Sequence, residues 1–338
     1  MTIGVGVVGY GYWGPNMLRN VANTDGLAPV AVSDIREERL GLAMGAYPGA
    51  AGVRRYQDLL QHPQVNAVII ATPLAHHFEI AKAALLAGKH VLVGKPMASS
   101  IEEAEELCSL AERCGLVLMV DHTFLYTGAV RTIGELFASD AIGELLYFDS
   151  VRINLGLIRS HYNVLWDLAP HDLSILFHLL PERPVAVSAI GACHVKHMDS
   201  DLATMAYLTL KMRSGALAHI HVNWLSPVKV RRTLIAGTKR MIVYDDLEPD
   251  EKVKVYDKGV ELTAGQTTYD VLVQYRTGAV YIPKLASEEA LRTEVAHFRD
   301  CIRGSCKPRS DAEQGLEVVR ILSAADASLA KDGGFVKI

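Results

Sequence analysis

Apolar residues fill positions 3–8 apart from Gly4 and Gly6, a glycine-rich stretch follows at 9–14, and an apolar periodicity through Leu18, Val21 and Ala22 comes next. The pattern predicts a strand, a tight turn and a helix. A second apolar run, 27–33, ends at Asp34. The alternation continues with a buried strand over 65–71 that Thr72-Pro73 terminates, and a helix over 74–87 with Gly88 as its stop. A strand over 90–93 then ends at Gly94-Lys95-Pro96. Ser99 or Ser100 can cap a helix over 101–114, with Glu102 and Glu103 at its positive end, and 116–120 closes the series as a strand. Strands and helices alternating in this way imply a parallel sheet covered on both faces.

Past His122 the rhythm changes. Positions 127–139 still read as a helix, but β-rich runs follow at 144–152, 184–194, 202–212, 216–224, 230–237 and 239–245. Short turns such as Ser214-Gly215 and Gly237-Thr238 predict antiparallel neighbours. The polar stretch 247–287 shows no clear period, and helices over 288–303 and 312–330 finish the chain. A length of 338 residues exceeds one ordinary domain, so two are expected, 1–122 and 123–338. The fold class is α/β: an N-terminal Rossmann-type parallel sheet, then an α+β domain on a large open, mostly antiparallel sheet. One broad exposed sheet face needs a cover, and a second copy of the chain is the expected one.

The glycine stretch, Gly9-Tyr10-Gly11-Tyr12-Trp13-Gly14, lies between the right elements to bind a dinucleotide. Gly9 makes the turn, Gly11 lets the backbone approach a pyrophosphate, and Gly14 lets helix and strand pack closely. The diphosphate would sit on the unpaired N–H groups at the helix start, where Pro15 has none to waste. Asp34, at the tip of the second strand, is placed to accept hydrogen bonds from the adenosine ribose, and would repel a 2′-phosphate. That favours NAD. Arg36 could offset the repulsion, so NADP stays possible, and Asp34 could equally cap the next helix. Ligands of such sheets sit beyond the strand ends, so Asp34, Thr72, Pro73, Lys95, Pro96 and the Asp121-His122 turn should converge. His76 and His77 open a helix on the same rim, where one could touch the nicotinamide ribose.

Composition narrows the class. A net charge of −4 gives no electrostatic reason for nucleic acid or a membrane surface, and no apolar stretch is long enough to span a bilayer. Cys108, Cys114, Cys193, Cys301 and Cys306 are odd in number and contain no CxxC pair, as expected of reduced thiols filling cores in a cytoplasmic protein. His219 and His221 share a strand face, yet no further ligands with metal spacing accompany them, so no metal is expected.

Two groups could carry chemistry. Lys95, at a strand end on the cofactor rim, could orient or polarise a substrate hydroxyl; the plainer reading is a surface lysine before a turn proline. In Trp166-Asp167-Leu168-Ala169-Pro170-His171-Asp172, Pro170 suits the first turn of a helix running to Leu180. Asp167 and His171, one helical turn apart, can share a face as an acid/base pair. The plainer reading there is a helix cap and a core histidine.

As a set, the glycine turn, Ala71-Thr72-Pro73, Lys95-Pro96 and Asp167-Leu168-Ala169-Pro170-His171 make the whole chain resemble the glucose-fructose oxidoreductase, inositol dehydrogenase and rhizopine catabolism (Gfo/Idh/MocA) family. The resemblance implies a Rossmann domain, a C-terminal domain with a large open sheet, and a homodimer or homotetramer formed through those sheets. It implies hydride transfer between nicotinamide and a sugar or polyol carbon, with Lys95, Asp167 and His171 as the catalytic trio. Gly94 stands where the family usually has glutamate, which alters the electrostatics beside Lys95. Residues 151–157 and 161–167 look like the branch acting on nucleotide-linked sugars, such as UDP-N-acetylglucosamine 3-dehydrogenases. Arg152, Asn154, Arg159, Tyr162 and Asn163 offer guanidinium forks and amides to a diphosphate or acetamido group, and Tyr126 could meet a sugar hydroxyl. The expected reaction is oxidation of a ring secondary alcohol, with C3 of an activated amino sugar foremost. Alternatives are a dehydrogenase of a free polyol such as inositol, an NAD-dependent redox-assisted glycosidase, and a non-catalytic ligand sensor.

Overall fold

A computed structural model describes residues 2–180, 182–196, 200–264 and 271–338. The chain divides into two compact units, Met1–Thr127 with Glu288–Ser323, and Gly128–Ser287 with Ala324–Ile338. The boundary at 122–123 expected from the change of rhythm lies near the first crossing. The return at Glu288 has no counterpart in the hydrophobic pattern.

The first unit runs β1 (Ile3–Val8), α1 (Gly14–Ala22), β2 (Leu27–Ser33), α2 (Glu37–Ala46), β3 (Ala51–Val53), α3 (Tyr56–Leu60), β4 (Ala67–Ile70), α4 (His77–Leu86), β5 (His90–Val93), α5 (Ile101–Cys114) and β6 (Leu118–Val120). Its six strands lie in the order β3-β2-β1-β4-β5-β6, all parallel. The order reverses at β1, which is where a doubly wound sheet opens its ligand crevice. Every residue of β1 and β4 is buried, as strands covered on both faces must be. Local chemistry sets the helix ends: Ser100 Oγ accepts from the Glu103 amide at 3.2 Å while Glu103 accepts from the Ser99 amide at 3.0 Å, and Gly115 ends α5 at φ 64°.

The second unit runs α6 (Gly128–Ala138), β7 (Leu145–Leu155), α7 (Val164–Leu179), β8 (Pro184–Ala192), β9 (Met205–Met212), β10 (Leu217–Asn223), β11 (Leu225–Gly237), β12 (Met241–Asp245), β13 (Val253–Tyr256), β14 (Gly259–Ala264), β15 (Val271–Arg276) and β16 (Val280–Tyr281). After it come α8 (Ala290–Ile302), α9 (Ala312–Leu329) and β17 (Val336–Lys337). Nine strands form one sheet in the order β16-β13-β12-β11-β7-β10-β9-β8-β17, and β14 pairs with β15 alone. Most pairs are antiparallel, but β7 and β10 run parallel, because α7 and the β8–β9 hairpin intervene between them. The sheet is therefore mixed at its centre.

Burial alternates along the central strands, with Phe148, Ser150 and Arg152 on one face of β7 and Leu208 and Leu210 on the same side of β9. Helix α7 covers that face. Arg152 on β7 reaches Asp172 on α7 with Nε at 2.7 Å and Nη2 at 3.0 Å, and Ser150 Oγ donates to the same carboxylate at 2.9 Å. Both charges are buried, and the three donors on the carboxylate offset the cost of removing it from water.

The return segment completes the first unit. Arg19 binds Glu289 through both nitrogens at 2.7 and 3.0 Å, and Asn20 donates to the same carboxylate. Beyond α8 the chain pairs with the edge of β6, where the Val120 amide donates to the Ser310 carbonyl at 2.9 Å. Among the described residues, no helix is long and apolar enough to cross a membrane.

Arg152→Met alone should destabilise the protein by about 3–5 kcal/mol, since it strands a buried carboxylate. The double variant Arg152→Met/Asp172→Leu should recover most of that loss in urea unfolding, and additive losses would mean the charges do not act as a pair.

Candidate active site

In the first unit the site is built on the end of β1. Gly9 has φ 93°, and a Cβ there would lie 2.7 Å from the Ala71 carbonyl oxygen. A Cβ on Gly14 would sit 2.1 Å from the Gly9 carbonyl oxygen, so the first turn of α1 rests directly on the strand end. Gly11 differs: the nearest atom to a Cβ there is Arg36 Nη2 at 3.6 Å, an ordinary contact. Protein packing does not require a glycine at that position. An approaching pyrophosphate does, and the amides at the start of α1 are the donors it would meet.

Asp34 follows β2 and is buried. It accepts from the Tyr10 amide at 2.8 Å, the Arg36 amide at 3.0 Å and the Arg36 guanidinium at 3.0 and 3.1 Å. Burial alone would raise its pKa, but these donors hold the carboxyl below the usual carboxylate range. The guanidinium side of Arg36 is half exposed, so its two bonds can give way to ribose hydroxyls while the backbone amides keep the carboxylate ionised and aimed.

The rim continues at the ends of β4, β5 and β6. Trp13 Nε1 donates to Asp121 Oδ2 at 2.6 Å, which ties the glycine turn to the end of β6, while Tyr12 beside it is exposed. Thr72 and Pro73 follow β4. His76 is exposed at the start of α4, whereas His77 is buried, with Nδ1 2.8 Å from the Pro96 carbonyl and Nε2 2.9 Å from the Thr72 carbonyl. His77 thus lies between Pro96, the residue after Lys95, and Thr72 beyond the end of β4. It also accounts for Gly94, because a Cβ there would meet the His77 ring at 3.1 and 3.2 Å. The imidazole occupies the space a glutamate would need.

His122 is fully buried, and burial with the nearby Lys95 charge pushes its pKa down to about 3. Burial also lowers His77, with smaller contributions from Lys95 and His76. The His122 ring is neutral, and the half-buried Lys95 lies near it. From α8, Glu294 packs against Asp121; burial and that carboxylate raise its pKa well above the ordinary value.

The second unit carries the remaining candidate residues. Helix α7 begins at Val164, not near Pro170: Asn163 Oδ1 caps it by accepting from the Leu165 amide at 3.0 Å. Pro170 lies inside the helix, where its missing N–H leaves the Trp166 carbonyl without the usual intrahelical partner. Asp326 on α9 fixes the helix start, accepting from Asn163 Nδ2 at 2.7 Å and Trp166 Nε1 at 2.8 Å. Asp167 therefore does not cap α7. Its Oδ2 accepts from Trp224 Nε1 at 2.9 Å, and His171 follows one turn later, half buried. Burial raises the Tyr162 phenol, the Asp167 charge raises it further and Arg159 opposes, so these three groups share one neighbourhood.

Three substrate-binding expectations meet other uses of the side chain. Arg152 is buried on Asp172, Asn163 is the α7 cap, and Tyr126 is buried with its hydroxyl 3.3 Å from Ser310 Oγ. A guanidinium, an amide and a phenol inside the fold cannot present themselves to solvent. Asn154 donates to the Leu155 carbonyl at the end of β7, and Arg159 is exposed. Trp224, Asp326 and Glu294 were not expected. Each acts on a residue far away in the chain, so no local pattern announces it.

A classic-order parallel sheet with an open glycine turn and an ionised acid at the second strand, joined in one chain to a unit presenting a carboxylate and an imidazole one turn apart, defines a dinucleotide-dependent oxidoreductase. Residues 3–122 match the oxidoreductase family with an NAD-binding Rossmann fold, and residues 130–243 match the GFO/IDH/MocA C-terminal domain. The chain belongs to the Gfo/Idh/MocA family of NAD-dependent oxidoreductases. UDP-N-acetylglucosamine 3-dehydrogenase GnnA from Acidithiobacillus ferrooxidans is 26% identical, with TM-score 0.81, 98% of this chain covered and 99% of that one. The scyllo-inositol 2-dehydrogenase (NADP(+)) IolW of Bacillus subtilis (strain 168) is 24% identical, covering 96% of this chain and 93% of its own. GenD2 from gentamicin A biosynthesis, solved in complex with NAD, is alike in fold at 22% identity and TM-score 0.81, with 100% and 96% covered.

Because folded His122 titrates near 3 and an unfolded histidine near 6.5, the unfolded chain takes up the proton first as pH falls. The stability this neutral ring contributes is complete above pH 6.5 and is lost progressively down to about 3. His77 acts in the same direction. His122→Leu should flatten the fall of melting temperature across that window, measured by calorimetry at stepped pH, and an unchanged slope would remove His122 from the acid sensitivity.

Proposed function

We propose that this dehydrogenase oxidises a ring secondary alcohol of a sugar, with C3 of a nucleotide-linked amino sugar as the foremost candidate and a free polyol such as inositol as the alternative. The observation that carries the reading is the grouping of Arg159 and Tyr162 with Asp167 on the helix that bears His171. A guanidinium fork suits a diphosphate, and a phenol suits a sugar hydroxyl or its acetamido neighbour. The likeness to GnnA along nearly the whole chain supports the same class.

Bound NAD supplies the acceptor for the hydride leaving the alcohol carbon. Asp34, ionised and buried, holds the adenosine ribose and disfavours a 2′-phosphate, which makes NAD the preferred cofactor over NADP. Lys95, Asp167 and His171 carry the acid/base work: the alcohol proton passes to Lys95 or His171, and Asp167, held by Trp224, orients the imidazole. Thr72, Pro73 and Pro96 line the rim beside Lys95. A redox-assisted glycosidase and a non-catalytic sensor remain the contrasting classes, and a sensor has no use for this acid/base set.

The outer face of the nine-stranded sheet supports a homo-oligomer. Tyr147, Tyr207 and Leu217 are exposed on it, and Tyr207 stacks on His221 with ring centroids 4.4 Å apart. In the register, Leu217 lies between Tyr147 and Lys211, so the apolar groups cluster on the central strands.

Lys95→Met and His171→Ala should each lower kcat by about 10²–10⁴-fold while NAD binding by calorimetry stays within a few-fold of the parent chain. A panel of UDP-sugars and inositols, followed by NADH absorbance, names the substrate; sugar release without NADH would mark the glycosidase, and no turnover with either panel would sink the proposal. Leu217→Arg should shift light-scattering mass toward the monomer, and an unchanged mass would place the contact elsewhere.

A further inference from the structure

We propose that His297, Cys301 and Cys306 form a zinc site with an open fourth position, separate from the dinucleotide and acid/base residues. His297 and Cys301 stand one turn apart on α8, and Cys306 lies on the loop that follows. Sequence spacing treats the two cysteines as unrelated, because the C-x4-C interval follows no common metal pattern and the histidine precedes both. The end of α8 brings them together: the Arg303 amide closes the helix on Arg299, the Gly304 amide donates to Cys301, and the chain turns back over the last helical turn.

His297 Nε2 lies 3.5 Å from Cys301 Sγ, the two sulfurs are 3.6 Å apart, and Cys306 Sγ is 3.6 Å from His297 Nδ1. One ligand atom from each residue can be chosen with all three within 4.8 Å of one another. Tetrahedral Zn–S bonds of ~2.3 Å and a Zn–N bond of ~2.05 Å imply S···S near ~3.8 Å and S···N near ~3.5 Å. The S···S edge and the Cys301 Sγ to Nε2 edge already approach those of a zinc tetrahedron, and the Cys306 to Nε2 edge lies within 4.8 Å. A disulfide would instead require the sulfurs to close to ~2.05 Å.

The ring has its second partner in place. Nε2 accepts from the Arg309 amide at 3.1 Å, and the Lys307 carbonyl is a further partner of the imidazole, which suits a ring carrying its proton on Nδ1. Zinc at Nε2 would take the lone pair now facing Arg309, and the exposed Arg309 amide would give way to it. Two Zn–S bonds form, two S–H bonds break, and both protons go to solvent. Cys306 is exposed, so the metal has a path in, while buried Cys301 anchors the inner side. Imidazole with two thiolates is a set that selects zinc over magnesium, calcium or manganese. The bound metal would clamp the loop that continues to Ser310, whose carbonyl holds the Val120 amide at the sheet edge.

The test uses the full chain, reduced and stripped with a chelator, and titrated with Co(II), which makes a zinc site visible. Expected are thiolate-to-cobalt charge-transfer absorption that saturates at about one equivalent and bleaches on adding zinc, and a higher melting temperature with zinc. Cys306→Ser, at an exposed position that should leave the fold intact, should weaken cobalt binding at least about tenfold and abolish the zinc-dependent melting shift, whereas Cys114→Ser should change neither. Absence of the charge-transfer band, the same band in Cys306→Ser, or a Cys301–Cys306 disulfide in zinc-treated protein would each overturn the proposal. None of these readouts depends on turnover, so the zinc site and the dehydrogenase reading stand or fall separately.

Discussion

The close approach of α1 to the end of β1 is the constraint on which the nucleotide half depends. A helix whose first turn rests on the Gly9 carbonyl cannot carry a side chain at position 14, and the contact fixes where its amides point. With the amides fixed, the Tyr10 N–H is directed at Asp34, and Trp13 is held over Asp121. One backbone contact thus sets the amides at the start of α1, the bond from Tyr10 to the buried Asp34 carboxylate and the link to β6. The open space beside Gly11 is the part of this arrangement left for a ligand.

The rim beyond it is organised by buried rings. His77 lies between two carbonyls from different strand ends, and the buried, neutral His122 lies near Lys95. The family's usual glutamate before this lysine would bring a carboxylate into the same space. Here the missing side chain of Gly94 leaves room for the imidazole of His77, which lies against the Thr72 carbonyl. In the second unit Trp224, between β10 and β11, fixes the Asp167 carboxylate of α7 with its indole N–H.

Much of this could be read from the residues. β1, β2, β5 and α5 have the predicted bounds because each combines an unbroken apolar period with a chemical stop, such as Asp34 or Gly115. The three-residue β3 is too short to show a period, and the parallel pairing of β7 with β10 depends on what lies between them, not on either strand. Pro170 misleads because proline is at home in a first turn, whereas here Asp326, more than 150 positions along the chain, draws the start of α7 back to Asn163. Arg152 reads as a surface fork until its strand face is known. A guanidinium two residues from a turn and one that spans sheet and helix look the same in a string of letters; burial separates them.

The return of the chain to its first unit at Glu288 carries a consequence for biosynthesis. A ribosome that has delivered residues 1–127 has made six parallel strands but not the partner of the Val120 amide, nor the Glu289 carboxylate for Arg19. The nascent nucleotide half must wait, with a bare sheet edge, for some 160 further residues to emerge before it can be sealed, at a point where unprotected edges invite mispairing. Any exchange of this half between relatives, by recombination or by design, must carry two separate stretches of gene rather than one.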